Sequence, residues 1–194
     1  MPNLYIISGC NGAGKTTASY TILPELFNCR EFVNADIIAA GLSPFNPESV
    51  ALEAGQIMLQ RIQELMKSGV DFAFETTLST KSYISYINKA KEKGYEITLL
   101  YIWLPSVQQA FERVAERVEN GGHNIPKHVI ERRYHRGINN LIHLYIPICD
   151  NWIIVNNNEA ATQVIANGNK KSVKFVENID SWKIINILAD EQSG

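Results

Sequence analysis

Glycines, a lysine and a threonine stand near the start of the chain in the order that phosphate binding requires. They form the run Gly9-Cys10-Asn11-Gly12-Ala13-Gly14-Lys15-Thr16, which matches G-x-x-x-x-G-K-[ST] at every fixed position. In such a loop the backbone N–H groups surround phosphate oxygens, the lysine reaches the β- and γ-phosphates, and the threonine hydroxyl ligates Mg²⁺. The N-terminus of the following helix adds the positive end of its dipole. We therefore predict a site for ATP or GTP with Mg²⁺, in which Thr16 is the metal ligand and the nucleotide contacts are Gly9, Asn11, Gly12, Ala13, Gly14, Lys15, Thr16 and Thr17.

Two carboxylates follow the second and third predicted strands. Asp36 ends the second predicted strand, over residues 31–36, and Glu75 ends the third. In a small-molecule kinase, a carboxylate at this edge of the sheet accepts the proton of the substrate hydroxyl, so we predict that Asp36 is the catalytic base. The alternative is that Asp36 only caps the following helix. For Glu75, Thr76 and Thr77 we predict contacts with a polar substrate, while a water-mediated Mg²⁺ contact or a solvated strand end remains open for Glu75.

Arginines lie on both sides of the pair Gly121-Gly122. Phosphoryl transfer spreads negative charge over the transferred group, and an arginine-bearing lid that closes over the nucleotide would stabilise that charge. We predict such a helical lid over residues 106–145, with a flexible joint at the glycines and a phosphate contact from the adjacent His123. Solvated helix faces are the alternative. The catalytic arginines are predicted to be Arg117, Arg133 and Arg136, whereas Arg113 and Arg132 are expected to point elsewhere.

The apolar pattern predicts the elements that position these residues. Short apolar runs at residues 4–7, 31–36, 72–74, 97–104 and 152–155 alternate with amphipathic segments at 47–67, 81–93 and in both halves of the lid. Repeated strand–helix units imply a parallel sheet wrapped by helices. Asn167-Gly168 between two strand-like runs predicts a hairpin near the C-terminus. We therefore predict an α/β, P-loop kinase-like fold: a parallel sheet flanked by helices, with an arginine lid and a C-terminal hairpin, in a single domain over residues 1–194.

Composition limits the class of protein. The chain has 194 residues, 45% of them hydrophobic, and a formal net charge of -2, which suits one globular domain and gives no general attraction to nucleic acid or anionic membrane. Its cysteines, Cys10, Cys29 and Cys149, are far apart and odd in number, as is typical of reduced thiols. No run of apolar residues reaches transmembrane length. We expect a cytoplasmic protein that binds neither nucleic acid nor membrane.

A nucleotide-dependent switch or binding protein without a phosphate acceptor is a different class that shares the phosphate loop. A GTPase of that class needs a guanine-reading Asn-Lys-x-Asp near the late strands. The nearest run, Val155-Asn156-Asn157-Asn158, lacks both the lysine and the aspartate. The sequence therefore favours a kinase over a GTPase.

Several of these motifs, in this order, resemble the zeta toxins. The resemblance covers residues 3–144 and is carried by the phosphate loop, Asn34-Ala35-Asp36, Glu75-Thr76-Thr77, Lys93-Gly94-Tyr95 and Gly121-Gly122-His123-x-x-Pro126. It implies a kinase that uses ATP and Mg²⁺ to phosphorylate the 3′-hydroxyl of the sugar in UDP-N-acetylglucosamine, with an antitoxin protein as a possible partner. A kinase for another hydroxyl compound, such as a nucleoside or a sugar acid, is the second interpretation.

The resemblance also assigns roles by position. It implies that Asp36 is the base, that Glu75 contacts the sugar nucleotide, and that Arg117 is the first lid arginine on the phosphates. The large plasmid toxins have a second lid arginine where this chain has His123, and Arg133 or Arg136 would replace it. In its short Gly-Gly-His form this chain is similar to a chromosomal branch of zeta-like ATPases.

Overall fold

The computed structural model describes residues 1–122, 124–157, 162–170 and 172–191. Within these ranges seven strands form one sheet: β1 (Asn3–Gly9), β2 (Glu31–Val33), β3 (Phe72–Thr76), β4 (Glu96–Trp103), β5 (Asn151–Asn156), β6 (Gln163–Asn169) and β7 (Ser172–Val176). Their order is β2-β3-β1-β4-β5-β6-β7, with the first five strands parallel and the last two antiparallel to their neighbours. The predicted α/β fold class is confirmed, and the hairpin extends the parallel sheet.

Helices connect the parallel strands and pack against the sheet. They are α1 (Lys15–Glu25), α2 (Ala35–Leu42), α3 (Ala51–Ser68), α4 (Tyr83–Glu92), α5 (Val107–Glu119), α6 (Lys127–Asn140) and α7 (Ile179–Asp190). A 3₁₀ turn, Pro47–Val50, leads into α3, and a π-helical turn, Leu141–Tyr145, continues α6. None of the helices in the described ranges is both long enough and apolar enough to cross a bilayer.

The central strands of the sheet belong to the buried core. β1 lies between β3 and β4, and Leu4, Ile6, Ile97 and Leu99 on these central strands are fully buried. Continuous apolar runs are expected where helices cover both faces of parallel strands. The three cysteines are also buried, and none of them forms a disulfide. Burial raises the pKa of the Cys10 thiol in the phosphate loop to about 11.

The second strand is shorter than the sequence predicts. It ends at Val33 because the side chain of Asn34 begins a helix: its Oδ1 atom accepts hydrogen bonds from the backbone N–H groups of Asp36 (2.8 Å) and Ile37 (3.2 Å). An asparagine oxygen in this position is a standard helix N-cap. Asp36 therefore lies in the first turn of α2 and does not end a strand. The interpretation of Asp36 as the cap is wrong, because Asn34 has that role.

The C-terminal hairpin forms, but its turn is not at Asn167-Gly168. Both residues lie inside β6, and the chain reverses only after Asn169. Gly168 is directly opposite Trp152 in β5, and a Cβ atom on Gly168 would lie 2.6 Å from the indole ring. The glycine is therefore needed to make room for Trp152, which also stacks on Trp182 of α7.

Candidate functional site

The phosphate loop connects β1 to α1, as the motif predicts. Gly9, Gly12 and Gly14 all have positive φ, and Gly14 immediately precedes the first residue of α1. Gly12 also faces α5, where a Cβ atom would lie 3.1 Å from both the Ala110 carbonyl oxygen and the Arg113 Cβ atom. Only glycine combines this backbone conformation with so close an approach. The loop is therefore held directly against α5, the first helix of the predicted lid.

The lysine and threonine of the loop both contact Glu75. The Lys15 ammonium donates a hydrogen bond to the Cys10 carbonyl (2.9 Å) and lies 3.6 Å from Glu75 Oε1. The Thr16 hydroxyl donates to Glu75 Oε2 at 2.8 Å. Both members of the Lys15–Glu75 ion pair are more than 90% buried, with side-chain exposures of 8% and 9%. Glu75 is thus part of the phosphate-binding centre as well as of the neighbouring substrate cavity.

The position of Glu75 follows from the strand register. It is the penultimate residue of β3 and pairs with Ile7 of β1, so it lies beside the start of the loop. Mg²⁺ in nucleotide sites is bound by hard oxygen donors, usually one or two carboxylates together with phosphates. The Thr16 hydroxyl and the Glu75 carboxylate form such a pair of donors, and they therefore fit the predicted ion.

Asn34 joins the same centre, although its residue type and position predicted no separate role for it. Its Nδ2 group donates to Glu75 Oε2 at 2.7 Å and to the Thr16 hydroxyl oxygen at 3.3 Å. The Asn34 side chain therefore contacts the phosphate-binding centre with one end and the first turn of α2 with the other. In the sequence, Asn34 falls inside the predicted strand over residues 31–36, and its place in the motif Asn34-Ala35-Asp36 was the signal for it.

Asp36 lines three adjoining cavities. We call them the phosphate cavity, the hydroxyl-rich cavity and the apolar cavity. The phosphate cavity is formed by the loop together with Glu75 and two arginines of α5. The hydroxyl-rich cavity, of about 320 Å³, extends from Glu75 to Tyr83. The apolar cavity lies between α2, the start of α3 and the start of α6. Asp36 therefore lies between the phosphate cavity and the two cavities that have space for a second ligand.

The hydroxyl-rich cavity follows the end of β3. It is lined by the predicted substrate residues Glu75, Thr76 and Thr77 and also by Ser79 and Thr80. The hydroxyls of Thr77 and Ser79 are 2.9 Å apart, so either can donate to the other. The Thr76 hydroxyl accepts a hydrogen bond from the backbone N–H of Leu78, whose φ is +57°, and thus supports the turn. Thr77 and Ser79 are the better placed of these hydroxyls for a ligand.

The apolar cavity adjoins the hydroxyl-rich cavity at Asp36 and Arg133. Its volume is about 190 Å³. Small aliphatic side chains and prolines form most of its wall, and Asp36, Glu48, Asn124 and Arg133 add polar groups. The cavity therefore provides space for a flat or aliphatic group that also carries hydrogen-bonding atoms. Its apolar members are Ala35, Ala39, Pro47, Ala51, Ile125, Pro126 and Val129.

Arg113 and Arg117 of α5 both line the phosphate cavity. The expectation that Arg113 points elsewhere is therefore wrong. Its guanidinium Nη2 donates to the Asn157 carbonyl at 2.6 Å, and the Asn157 side chain donates to the Ala13 carbonyl at 2.9 Å. Arg113 thus connects α5, the end of β5 and the phosphate loop, because α5 packs directly on the loop.

The arginines of α6 are divided between different surfaces. Arg133 lines both the hydroxyl-rich and the apolar cavities and donates to Asn11 Oδ1 at 3.4 Å. Burial lowers the pKa of the Arg133 guanidinium, and the Asp36 carboxylate opposes that change. Arg136 lines a different cavity together with Lys81 and does not line the phosphate cavity, so the prediction that it acts on the transferred phosphate is not supported. Arg132 is exposed.

The Gly121-Gly122 pair forms a defined helix end. The N–H of Gly122 donates to the Arg117 carbonyl and that of Gly121 to the Val118 carbonyl, while Gly121 has a φ of +85°. This is the Schellman pattern of helix termination. A Cβ atom on Gly122 would lie 2.6 Å from Arg117 Cγ, so the second glycine fits against the arginine side chain. His123, the predicted phosphate contact, lies outside the described residues.

Comparisons with known proteins agree with this architecture. The Zeta toxin family model matches residues 30–170. An uncharacterized protein of Haemophilus influenzae is 32% identical over 129 residues, which are 65% of this chain and 88% of the relative.

Two solved structures share the fold at lower sequence identity. In the complex of AvrRxo1-ORF1 and AvrRxo1-ORF2 with ATP, one chain matches with a TM-score of 0.74 and 21% identity; the match covers 95% of this chain but only 63% of that chain. A structure of the PezAT chromosomal toxin–antitoxin system of Streptococcus pneumoniae matches with a TM-score of 0.68 and 15% identity, covering 100% of this chain and 86% of that chain.

Proposed function

Because this chain belongs to the zeta toxin family, we propose that it is an ATP-dependent kinase that phosphorylates a sugar hydroxyl. UDP-N-acetylglucosamine is the first acceptor to test, since the family resemblance implies it. The proposal rests mainly on the position of Asp36, which lines the phosphate cavity and both cavities available to an acceptor. A carboxylate at that junction can take the proton of an acceptor hydroxyl as its oxygen attacks the γ-phosphorus.

ATP as the donor is supported by the complete phosphate loop and by the fold neighbour that was solved with ATP. The backbone N–H groups of the loop would hold the β-phosphate, and the Lys15 ammonium would move from Cys10 and Glu75 onto the transferred phosphate. Thr16 and Glu75 would hold Mg²⁺, which supplies positive charge next to the β- and γ-phosphate oxygens. Lys15 and Thr16 are part of the loop, and Glu75 is hydrogen-bonded to it through Thr16.

The transfer step assigns a separate task to each charged group. The acceptor oxygen forms a bond to the γ-phosphorus, the bond from phosphorus to the β–γ bridging oxygen breaks, and the hydroxyl proton goes to Asp36. Arg117 and Arg113 line the donor side of this reaction, and Arg133 lines the acceptor side next to Asp36. Guanidinium groups on both sides can stabilise the negative charge that spreads over the transferred group.

The two acceptor cavities support a ligand with two chemically different parts. Hydroxyls and a carboxylate in the hydroxyl-rich cavity suit a sugar, which needs several hydrogen-bond partners. The apolar cavity suits a flat base or an acetyl methyl group. A nucleotide sugar has both parts, whereas a simple sugar acid has only the first, so the geometry favours the former.

We further propose an antitoxin protein as the partner of this chain. The support comes from the family itself and from the fold neighbour described as a toxin–antitoxin system. Expression of the chain alone should slow bacterial growth, and the same chain with Lys15→Ala should not. Equal growth of both strains would contradict a toxic role and leave the kinase proposal standing.

The kinase proposal is tested by product analysis. The chain is incubated with ATP, Mg²⁺ and UDP-N-acetylglucosamine, and the 3′-phosphorylated product is sought by mass spectrometry and ³¹P NMR, with Lys15→Ala as the control. Product from the wild-type chain alone would support the acceptor. If another compound in a metabolite library is phosphorylated and the nucleotide sugar is not, the kinase proposal stands and the proposed acceptor is wrong. The kinase proposal would be refuted if none of the compounds yielded a phosphorylated product.

A further inference from the structure

One asparagine side chain joins the phosphate-binding centre to the helix that carries the proposed base. Asn34 directly follows β2, whose last residue, Val33, pairs with Phe74 of β3. Glu75 directly follows Phe74, so the register of two parallel strands brings Asn34 and Glu75 side by side. Asn34 is 5% exposed, although its side chain is fully polar. A polar group this deeply buried is expected to have all its hydrogen-bonding positions filled.

Both ends of the Asn34 amide are used. Oδ1 accepts from the N–H groups of Asp36 and Ile37, and Nδ2 donates to Glu75 and Thr16. The orientation of the amide is fixed by these partners, because only an oxygen can face two N–H donors and only an NH₂ group can face a carboxylate.

We propose that Asn34 is a positioning residue that sets the distance between the base-bearing turn of α2 and the Thr16–Glu75 pair of the phosphate loop. The expected loss of kcat rests on the proposed kinase function. The link that Asn34 makes between the Thr16–Glu75 pair and α2 does not depend on it. In-line transfer needs the acceptor hydroxyl, held by Asp36, and the phosphate, held by the loop, at a fixed separation. A misplacement of about 1 Å in such a geometry can cost about 10²-fold in rate.

The variant Asn34→Ser distinguishes the positioning role of Asn34 from its role as a helix cap. Serine is as good an N-cap as asparagine, so the start of α2 should persist, but its short side chain cannot also reach Glu75. Asn34→Ser should lower kcat by about 10- to 100-fold and change the affinity for a fluorescent ATP analogue by less than about 3-fold. Asn34→Ala loses the cap as well and should lower the melting temperature by about 2–4 °C.

The chain supplies a matched control in Asn178. This residue also caps a helix, α7, with its side chain accepting from the N–H of Ser181, and it lines neither the phosphate cavity nor the hydroxyl-rich cavity. Asn178→Ser and Asn178→Ala should show the effect of a weakened cap on melting and leave kcat unchanged. A loss of kcat in these variants as large as that of Asn34→Ser would show that any weakened cap slows the enzyme, and would overturn the inference.

A readout without turnover completes the test. Ile37 lines none of the three cavities, but its backbone N–H donates to Asn34 Oδ1. In the wild-type chain, addition of ATP and Mg²⁺ should shift the amide NMR signal of Ile37, because Asn34 transmits rearrangement of Thr16 and Glu75 to that N–H group. In Asn34→Ser the nucleotide should still bind, but the shift of the Ile37 signal should become much smaller. If Asn34→Ser keeps both the wild-type shift of the Ile37 signal and the wild-type kcat, Asn34 acts only as a helix cap. If the wild-type chain phosphorylates no acceptor, the kinase proposal fails, and the NMR comparison still decides the role of Asn34.

Discussion

Replacement of Asp36 by asparagine separates catalysis from stability more cleanly than any other change at this site. The two side chains have the same size, and the backbone N–H of Asp36 that bonds to Asn34 is retained. The substitution therefore removes one negative charge and one proton acceptor from the junction of the three cavities while leaving the start of α2 in place.

The stability effect follows from the position of Asp36 in the first turn of α2. A carboxylate there stabilises a helix by about 0.3–1 kcal/mol through the helix dipole, which corresponds to a fall in melting temperature of about 1–4 °C for a chain of this size. A general base contributes about 10²–10⁴ in kcat, or about 2.7–5.4 kcal/mol of activation free energy. The catalytic effect should therefore exceed the structural one severalfold.

ATP affinity provides a second distinction. Asp36 lines the phosphate cavity, so removal of its charge takes away a repulsion from the phosphates. Binding of a non-hydrolysable ATP analogue, measured by calorimetry, should stay equal or become slightly tighter in Asp36→Asn. The initial rate of acceptor phosphorylation, measured by mass spectrometry, should fall by at least about 10²-fold.

The matched control is Asp180→Asn. Asp180 is also the second residue of its helix, α7, and also follows an asparagine cap, Asn178. The variant Asp180→Asn should show the same small fall in melting temperature and no loss of activity. If Asp36→Asn and Asp180→Asn keep the same activity per folded molecule, the argument that Asp36 is the base is refuted.

The remaining predictions concern the loop, the lid and the sheet. Lys15→Ala should abolish phosphorylation without a change in the circular dichroism spectrum, and unchanged turnover would contradict the phosphate-loop assignment. Arg133→Ala should lower kcat and kcat/KM together by about 10²-fold at nearly constant KM for ATP, whereas Arg136→Ala, on a different cavity, should stay within about 3-fold; the reverse order in steady-state kinetics would contradict the structure. Burial raises the pKa of Asp150, but a backbone N–H and two lysine ammonium groups outweigh it and hold the pKa below its ordinary value. This stabilisation is present above the unfolded pKa and is lost as the pH falls through the folded pKa. Asp150→Asn should therefore lower the melting temperature by a few degrees at pH 7, and by progressively less as the pH is lowered below the ordinary value of 3.8; a loss that does not change with pH would contradict it.

The sequence predicted the features that are local in the chain. The phosphate loop is a continuous segment whose glycines, lysine and threonine act within one turn, so its position between β1 and α1 could be read directly. The alternation of strands and helices was equally local. The error at residues 31–36 arose because Asn34 ends a strand by capping the next helix, and an apolar pattern does not report that competition.

The features that the sequence did not predict depend on packing between distant segments. The orientation of Arg113 is set by the approach of α5 to Gly12, about a hundred residues away along the chain. The contacts of Asn34 with Thr16 and Glu75 span 18 and 41 residues. Gly168 was interpreted as a turn residue because its partner, Trp152, is on another strand. No spacing rule within one segment reports such contacts.

The burial of the cysteines makes the chain a convenient object for site-specific labelling. Burial raises the pKa of Cys29 to about 11 and that of Cys149 to about 12, in line with Cys10. At neutral pH only about one thiol in 10⁴ is then ionised at Cys10 and Cys29, and about one in 10⁵ at Cys149. Maleimide dyes react with the ionised form. Cysteines introduced at the exposed positions Asn88 of α4 and Glu131 of α6 should therefore accept a pair of dyes in the otherwise native sequence. Energy transfer between the dyes would then measure the distance between α4 and α6 in single molecules, with and without ATP.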